Sequence, residues 1–181
     1  MPETMIEKLP QHRQIVRGFV MKLVGDAALA DDLTQESFVR ATRTEKSHRG
    51  DASERAWLSA IALNLVRDHF RATKRRPQTI SDDGFLDGIE SSDDDGETQV
   101  IRKEMTDCIA EHLLLLPHPQ YDVVALHDMA DLPHKEIASQ LGISEANSRV
   151  LLHRGRAALR KILERNCVLS LGCDDVPCER R

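Results

Sequence analysis

The stretch from residue 134 to residue 161, HKEIASQLGISEANSRVLLHRGRAALRK, limits the possible folds of this chain more than any other. Its first part has apolar residues at helical spacing and runs into Gly142, and glycine is the residue that most often closes a helix in the left-handed conformation. Ser144 fits the N-cap of a second, strongly basic helix, which we expect to continue to about residue 165. Two helices joined by a turn of about three or four residues with a glycine form a helix-turn-helix. We therefore predict this motif, with Pro133 in the first turn of its first helix.

The two sides of the second helix differ in chemistry. Apolar residues around the turn are expected to bury the angle between the helices: Ile137, Leu141, Ile143, Val150, Leu151 and Leu159. The polar residues are expected on one outer surface: Asn147, Ser148, Arg149, His153, Arg154 and Arg156. Arg can bond two acceptors on guanine or contact phosphate, and an α-helix fits the major groove of DNA. The pattern predicts a DNA-reading helix; the alternative is a solvated basic face on a helical bundle.

Charge divides the chain into parts. The net charge is −5, but residues 77–98 alone hold eight Asp and Glu, no Lys or Arg, and three Gly. Like charges that repel one another favour an extended linker over a packed core. We therefore predict a flexible acidic linker at 77–98, between a domain at 1–76 and a second domain at 99–165, with a tail at 166–181. Residues 1–76 carry 14 Lys and Arg against 10 Asp and Glu, so basic surfaces are possible on a chain that is acidic as a whole.

Apolar residues recur at helical spacing in both predicted domains, and long alternating β-branched runs are absent, so we predict an all-α fold. In the first domain this pattern includes Ile15, Phe19, Val20 and Leu23. Asp31 and Asp32 are expected at the start of the next helix, where carboxylates oppose the macrodipole. A third helix, ERAWLSAIALNLVRDHFRATKRR, has Trp57, Leu58, Ile61 and Leu65 on its apolar side and ends in positive charge.

Composition also bears on location and chemistry. No run of about 18 apolar residues occurs, which predicts that no helix spans a membrane. The N-terminus, MPETMIEKLPQHRQ, lacks the apolar core of a signal peptide, so we expect a soluble cytoplasmic protein. We find no catalytic set and predict that the protein is not an enzyme. His127 and Asp128, as sequence neighbours on a helix, are expected to point in different directions.

Three segments in order resemble one family. They are similar to successive parts of bacterial RNA polymerase sigma factors of the sigma-70 family, in the extracytoplasmic-function (ECF) group. The segments are DDLTQESFVRA, RAWLSAIALNLVRDHFRATKRR and LPHPQYDVVALHDMADLPHKEIASQLGISEANSRVLLHRGRAAL. The resemblance covers the chain apart from its tail. It implies two helical domains, region 2 and region 4, joined by a linker. It also implies that the first segment binds core RNA polymerase, the second melts and reads the −10 promoter element, and the third reads the −35 element.

The resemblance implies a role for each matching residue. Four residues would face the coiled coil of the polymerase β′ subunit: Asp32, Gln35, Glu36 and Phe38. The pocket for a flipped −10 base would include Asn64, and phosphates of the opened strand would meet Arg67, Arg71, Arg75 and Arg76. The −35 element would be read by Arg149, His153 and Arg154. Leu151 departs from the common pattern, in which a polar or basic residue often stands there.

Some of these residues have a purely structural alternative. Phe38 could pack in the core, and Asn64 could be an ordinary polar residue on the surface of an amphipathic helix. Trp57 is better explained by core packing than as a stacking platform for a base. Separation of the DNA strands costs free energy. A protein can recover it by binding unpaired bases in pockets and the opened strand on a cationic surface, and neither task requires catalytic residues.

The cysteines lie outside the family pattern. Cys108 and His112 are four residues apart and would share one helical face, and the tail holds Cys167, Cys173 and Cys178. Thiolates with a histidine suit Zn²⁺ or another thiophilic metal, so these five residues are a candidate metal site. A disulfide switch is the main alternative, since cytosolic thiols are normally reduced and such a bond would act as a sensor. Cys108 could also be a small buried residue, and the tail a disordered end with free thiols. The tail loosely resembles those of CorE-like sigma factors.

The leading hypothesis is an ECF-type sigma factor that directs promoter-specific initiation and is regulated by metal or redox state. Its partners would be core RNA polymerase, through the β and β′ subunits, promoter DNA and an anti-sigma factor, with no membrane partner. Two other classes remain open: a stand-alone metal- or thiol-responsive helix-turn-helix regulator, and a helical adaptor without a DNA role.

Overall fold

The computed structural model describes residues 9–44, 53–75, 109–169 and 178–180, and its side chains over 11–44, 53–73 and 109–166. The predicted linker at 77–98 lies outside the described residues, as do Arg76, Cys108 and Cys173. The domain boundaries at 76 and 98 therefore stay predictions.

The described residues of the first domain form three α-helices, preceded by a 3₁₀ turn at Leu9–His12: α1 (Arg13–Val24), α2 (Ala27–Thr44) and α3 (Glu54–Arg75). Helix α1 ends at Gly25, whose φ of 68° is left-handed and whose backbone N–H donates to the carbonyl of Met21 at 2.9 Å. Helix α2 then begins at Ala27, and the side chain of Asp26 accepts from the N–H of Leu29 at 2.7 Å. The predicted start at Asp31 and Asp32 was therefore wrong, because Asp26 provides the cap one turn earlier.

The core of this domain lies between the three helices, all of which contact one another. Val16, Phe19, Val20 and Leu23 are the buried residues of α1, whereas Ile15, predicted inside, is 47 % exposed. Its neighbour Val16 is buried instead; it stands three residues before Phe19 and four before Val20, so it lies on the same helical face. On α3 Trp57 is buried, in agreement with its core interpretation.

In the second domain, described from residue 109 on, residues 109–113 are helical and three further helices follow. These are α4 (His118–Val124), α5 (His134–Leu141) and α6 (Glu145–Asn166). Helix α4 runs into a π turn at Ala125–Met129, in which the N–H of Ala130 donates to the carbonyl of Ala125 at 3.2 Å. His127 and Asp128 were expected on a regular helix, whereas they lie in this π turn. Single π turns of this kind often lie at functional sites.

Helices α4 and α6 pack against each other at Gly155. A Cβ atom at Gly155 would lie 2.6 Å from Cγ2 of Val124 and 3.4 Å from Cβ of Gln120. A glycine therefore allows the two backbones to approach more closely than any other residue would. The periodicity of the sequence gave no indication of this contact.

The described residues of the tail form two short strands that pair antiparallel, β1 (Cys167–Leu169) and β2 (Cys178–Arg180). Cys167 pairs with Arg180 and Leu169 pairs with Cys178, so the two cysteine positions are two residues apart along the ladder. The all-α prediction is confirmed for both domains, and the two-stranded ribbon of the tail was not predicted.

The two domains touch each other. Helix α3 contacts the π turn and α5, and the Nζ of Lys22 on α1 donates to the carbonyl of Met129 at 3.1 Å. A membrane-spanning helix, which needs about 20 mostly apolar residues, is not found in the part of the chain that the structure describes.

Candidate promoter-binding and polymerase-binding surfaces

The predicted helix-turn-helix is formed by α5 and α6. Gly142 closes α5 with a φ of 67°, in the left-handed region that side chains other than glycine rarely adopt. The hydroxyl of Ser144 accepts from the N–H of Asn147 at 3.1 Å, which caps the start of α6. Both predicted caps are thus present, and together they set the angle at which α6 leaves the turn.

One of the residues predicted on the inner side of this motif is exposed. Ile137 and Ala138 on α5 are buried, as is Leu152 on α6. Val150, predicted inside, is 45 % exposed. Leu152 takes the inner position because α6 packs against α4 as well as α5, and that combination determines which face of the helix is covered.

The outer side of α6 carries four exposed polar residues: Asn147, Arg149, His153 and Arg154. Arg149 is 60 % exposed and donates to Glu145, one turn earlier, at 3.2 Å. Such an exposed pair at i,i+4 is worth little and is easily exchanged for a phosphate or a base. This face is therefore available to a nucleic acid.

Arg156 is exposed, but its guanidinium is bound by a carboxylate of the π turn. Its Nε donates to Oδ2 of Asp128 at 2.9 Å, and its Nη2 donates to Oδ1 of the same carboxylate at 2.5 Å. Burial raises the pKa of Asp128, but hydrogen bonds from Arg156 and His127 outweigh that effect and hold the pKa below its usual value. The carboxylate is thus charged at neutral pH and fixes the direction of the guanidinium.

Ser148 differs from its predicted place on the outer surface. It is fully buried, and its hydroxyl is hydrogen-bonded to Nδ1 of His134 at 2.9 Å. The ring of His134 lies against that of His127, with centroids 4.7 Å apart. In this structure Ser148 therefore ties α6 to α5 and is not exposed to a base.

His127 and Asp128 also differ from expectation. Nδ1 of His127 lies 2.9 Å from Oδ1 of Asp128, although neighbouring side chains were predicted to point apart. Both residues lie in the π turn, where the backbone departs from the α-helical spacing that the prediction assumed. Asp128 consequently links His127 to Arg156.

The polar side of α3 is partly covered. Asn64 is exposed, and its Oδ1 accepts from Nη2 of Arg67. Arg67 itself is only 16 % exposed, because its Nη1 donates to Oδ1 of Asp122 on α4 at 3.1 Å. Arg71 is exposed, whereas the side chain of Arg75 lies outside the described residues. Of the two arginines predicted to contact phosphate whose side chains are described, Arg67 is therefore bound to Asp122, and Arg71 is exposed to solvent.

Asp122 is the buried partner in this contact. Its carboxylate is 8 % exposed and also lies 3.0 Å from Nδ1 of His118. Burial raises its pKa, and the positive charges of His118 and Arg67 oppose that rise. A buried carboxylate needs such partners, because removal from water is costly for a charge.

The predicted polymerase surface lies on α2. Asp32, Gln35 and Glu36 are exposed, and Glu36 accepts from Arg40 at 2.7 Å. Phe38 is only partly buried and packs against the core. The structure thus supports the core-packing alternative for part of this ring and leaves the rest accessible.

Comparison with known proteins identifies the architecture. The model of Sigma-70 region 2 matches residues 10–76, and the model of Sigma-70, region 4 matches residues 106–159. The RNA polymerase sigma factor HrpL of Pseudomonas syringae pv. syringae is 32 % identical over 83 % of this chain and 82 % of its own length. This chain belongs to the sigma-70 family.

The ECF group is supported by further relatives. The probable ECF RNA polymerase sigma factor SigI of Mycobacterium tuberculosis is 31 % identical over 88 % of this chain, which spans 54 % of SigI. The structure of CnrH in complex with the cytosolic domain of CnrY matches with a TM-score of 0.58 and 22 % identity, over 87 % of this chain and 85 % of CnrH. The chain is an ECF-type sigma factor that binds core RNA polymerase and promoter DNA and directs transcription initiation.

The predicted metal ligands of the sigma factor lie mostly outside the described side chains. His112 is buried, with 9 % of its surface exposed. Cys108 and Cys173 fall outside the described residues, and Cys167 and Cys178 are described only as strand positions. Within the described part of the chain, no group of three or more His, Cys, Asp and Glu side chains could hold a metal ion.

Two residues of the sigma factor that matter to its surfaces were missed in the sequence. Asp122 covers Arg67, and His134 holds Ser148. A buried carboxylate next to apolar Tyr121 and Val123 gives a weak signal, because its partner lies more than 50 residues away along the chain. Such pairing is visible only when the two domains are seen together.

Proposed function

We propose that this sigma factor acts in the cytoplasm as an initiation factor without enzymatic activity, and that α6 reads the −35 element while α3 holds the opened −10 strand. The exposed polar face of α6, with Arg149, His153 and Arg154 on a helix set by a glycine-capped turn, is the observation that carries the proposal. A helix of this kind can enter the major groove with its arginines toward the base edges.

Each surface has a separate task. On α6, Arg156 contacts a phosphate in a direction fixed by Asp128, while the other exposed residues face bases. Ser148 contributes by holding α6 to α5 through His134. On α3, Asn64 helps to form the base pocket, and Arg67, Arg71, Arg75 and Arg76 hold the backbone of the opened strand.

Polymerase binding is assigned to α2. Its exposed Asp32, Gln35 and Glu36 form a polar surface, with the accessible part of Phe38 beside it. Charged residues at such a rim steer association, and a partly buried aromatic ring supplies apolar contact area.

Run-off transcription with core polymerase tests the proposal. The wild-type chain is expected to start transcription from a cognate promoter, which core polymerase alone leaves silent. Arg149→Ala and Arg154→Ala should each weaken promoter binding by about 1–3 kcal/mol, as expected for arginines that contact base edges. Arg160→Ala is the matched control, since Arg160 on the same helix pairs with Glu164 at 2.8 Å. Equal losses in all three variants would contradict sequence reading by this face.

We also propose that Cys108, His112, Cys167, Cys173 and Cys178 form a metal-binding or redox site that acts on region 4, the domain matched at residues 106–159. Support comes from the β1–β2 ribbon, which brings the backbones at Cys167 and Cys178 to within two ladder positions directly after α6. Zn²⁺ or another thiophilic metal would be the cofactor. Metal analysis of wild-type protein and of single Cys→Ser variants tests this idea. A protein that holds no metal and initiates equally under oxidising and reducing conditions would refute it.

An anti-sigma factor is proposed as a further partner. The fold likeness to CnrH, whose structure was solved with the cytosolic domain of CnrY, supports the proposal. Affinity purification of the full chain from cells, followed by reconstitution of the captured protein with the sigma factor in run-off transcription, would test it; inhibition is the expected result.

A further inference from the structure

The outer side of α6 has an apolar residue at its centre. Val150 is 45 % exposed and lies outside the core that the described residues form. Ser148 and Leu152, two residues before it and two after it, are both buried. With about 3.6 residues per turn, a step of two residues leads to the opposite side of a helix. Val150 therefore points away from α4 and α5, against which α6 packs.

The neighbours of Val150 on the helix surface are small or polar. Residues three and four positions away adjoin a given residue on a helix. Four exposed residues occupy these places: Ala146, Asn147, His153 and Arg154. A branched apolar side chain thus stands among hydrogen-bonding groups, on the part of α6 that projects farthest from the domain.

Neither helix formation nor packing explains a valine at this position. Valine loses side-chain freedom in a helix, and it is a poorer helix former than alanine or a straight-chain polar residue. Core burial offsets this cost only in part, since nearly half of Val150 is exposed. Single exposed apolar residues are common on protein surfaces, so the exposure alone means little. The central place of Val150 among polar residues is what indicates a role.

We propose that Val150 is a specificity-determining residue of promoter binding, and that it contacts the C5-methyl group of a thymine in the −35 element. The inference rests on the proposed reading of that element by α6. Every base pair presents hydrogen-bonding groups in the major groove, and among the four bases only thymine adds a methyl group there. An apolar side chain selects that methyl group, because their contact removes both apolar surfaces from water.

The place of Val150 along α6 fits this task. A recognition helix contacts base edges mainly with residues near its N-terminus, and Val150 lies in the second turn of α6 (Glu145–Asn166). The major groove is about 12 Å wide and about 8.5 Å deep, so the residue that projects farthest from the domain comes nearest to the groove floor. A short side chain can contact the base edges there without folding aside.

The nearby arginines predict where the thymine lies. Arg154 is one helical turn after Val150, and one turn spans about 5.4 Å along the axis. Successive base pairs are about 3.4 Å apart. The thymine is therefore expected within about two base pairs of the base that Arg154 contacts. Arg156, directed by Asp128, lies about 120° round the helix from Val150, which suits a phosphate at the side of the groove.

A protein partner is the other class of molecule that could cover an exposed valine. The charges around Val150 favour DNA. Its four helical neighbours include an arginine and no carboxylate, so the phosphates of a duplex meet no repulsion at the centre of this face. Arg149 and Arg154, on either side of Val150, both carry the charge that attracts a duplex.

Selection of DNA by the holoenzyme tests the assignment. Core polymerase with the full chain is mixed with duplexes that carry a cognate −10 element and a randomised −35 region, and the bound duplexes are sequenced. The wild-type chain should enrich thymine at a position within about two base pairs of the one that Arg154→Ala relaxes. Val150→Ala should lose the preference for thymine and keep the others. Val150→Ile, which keeps a branched apolar side chain, should retain it.

Replacement of the selected thymine by deoxyuridine removes only the C5-methyl group. The wild-type holoenzyme should bind the uracil duplex about fourfold more weakly, the change expected when one methyl group stays in water. The Val150→Ala holoenzyme should bind both duplexes equally. Ile15→Ala is the matched control, because Ile15 is a β-branched residue of similar exposure, 47 %, on α1 of region 2, the domain matched at residues 10–76. It should keep the fourfold difference.

Val150→Ala is expected to fold, since alanine is the better helix former at an exposed position, and circular dichroism checks this. The proposal is overturned if the wild-type holoenzyme selects no such thymine or binds the two duplexes equally, or if folded Val150→Ala keeps the difference. Weaker binding of Val150→Ala to core polymerase, with an unchanged thymine preference, would assign the valine to a protein contact and would also overturn it. The proposed function fails by a different result, namely the absence of a run-off transcript with wild-type protein.

Discussion

Two helices of this sigma factor, α3 in region 2 and α6 in region 4, carry arginines that are proposed to touch promoter DNA, yet they present them in different ways. On α6 Arg149 is 60 % exposed, and its ion-pair partner among the described residues is Glu145 on the same helix. On α3 Arg67 is 16 % exposed and is bound by a carboxylate of the other domain. The comparison shows that residue type and position on a helix do not decide whether an arginine is accessible to DNA. What decides it is whether another element packs against that helix and binds the side chain.

The largest expected effect is on stability, and it comes from a glycine-to-alanine substitution in region 4 that is compared with the same substitution in region 2. Gly155→Ala in region 4 would place a methyl group 2.6 Å from Cγ2 of Val124, so either the Val124 side chain or the two helices must shift. We expect a loss of about 1–3 kcal/mol in the free energy of unfolding, as for other overpacked sites. Thermal and urea unfolding followed by circular dichroism would measure it.

The control for this change is Gly18→Ala on α1 of region 2, where an added Cβ has no heavy atom within 4 Å. In a helix interior that substitution should stabilise by about 0.5–1 kcal/mol. Equal effects of the two substitutions would show that the close approach of α4 and α6 is not a constraint.

The second prediction concerns the salt dependence of binding to duplex promoter DNA by the free protein at low ionic strength. Arg149→Ala should lower the slope of log K against log salt by about one, because one exposed positive charge no longer displaces a counterion from the DNA. Arg67→Ala should leave the slope nearly unchanged, since Asp122 already occupies this arginine. Fluorescence anisotropy over a salt series measures both. Equal slopes for the two variants would remove the distinction between the helices.

The third prediction is a pH effect in region 4. Burial lowers the pKa of His134, and the positive charges of His127 and Arg149 act in the same direction. Between this lowered pKa and the ordinary value near 6.5, the unfolded chain binds more protons than the folded chain, so stability rises with pH and falls on acidification. The melting temperature should therefore decrease from about pH 7.5 to about pH 5.5.

His134→Gln supplies the reference for this pH effect, because glutamine can still bond Ser148 but does not titrate. The variant should lose part of the decrease, with the remainder caused by other histidines. A decrease of the same size in both proteins would assign the effect elsewhere.

The smallest expected effect is the matching titration in region 2. A hydrogen bond from Arg17, at 2.6 Å, holds the pKa of Asp31 below its usual value. The stabilisation is therefore present above the ordinary pKa of an aspartate and is lost as pH falls through the lowered value. Both side chains are largely exposed, so Asp31→Asn should cost less than about 0.5 kcal/mol at neutral pH. A larger loss in chemical denaturation would show that this pair does more than a surface ion pair can.

Much of the architecture could be predicted because it depends on local rules. Helical periodicity places α1, α3 and α6, and the caps at Gly142 and Ser144 follow from residue type. The errors have a common cause in packing. Val16 replaces Ile15, and Leu152 replaces Val150, since the buried face of a helix depends on which neighbours cover it. Similarly, Asp26 rather than Asp31 caps α2, because the turn at Gly25 comes one residue before it.

The surfaces were predicted less completely than the helices. The exposed residues of α6 were identified except for Ser148, whose burial depends on a bond to His134 on another helix. The partial burial of Phe38 and the burial of Trp57 follow the structural alternatives that the sequence left open. The roles of these surfaces in DNA and polymerase binding stay predictions for the experiments above.

By itself, the sequence determined two helical units, a glycine-closed turn and an arginine-bearing helix after it, because backbone dihedrals and side-chain periodicity act over a few residues. Only the tertiary structure decided that Gly155 brings α4 and α6 together, that Ser148 turns inward and that Asp122 covers Arg67. These contacts join residues from different helices, and the pairing of a charge with its partner depends on how whole helices pack, which no local spacing encodes.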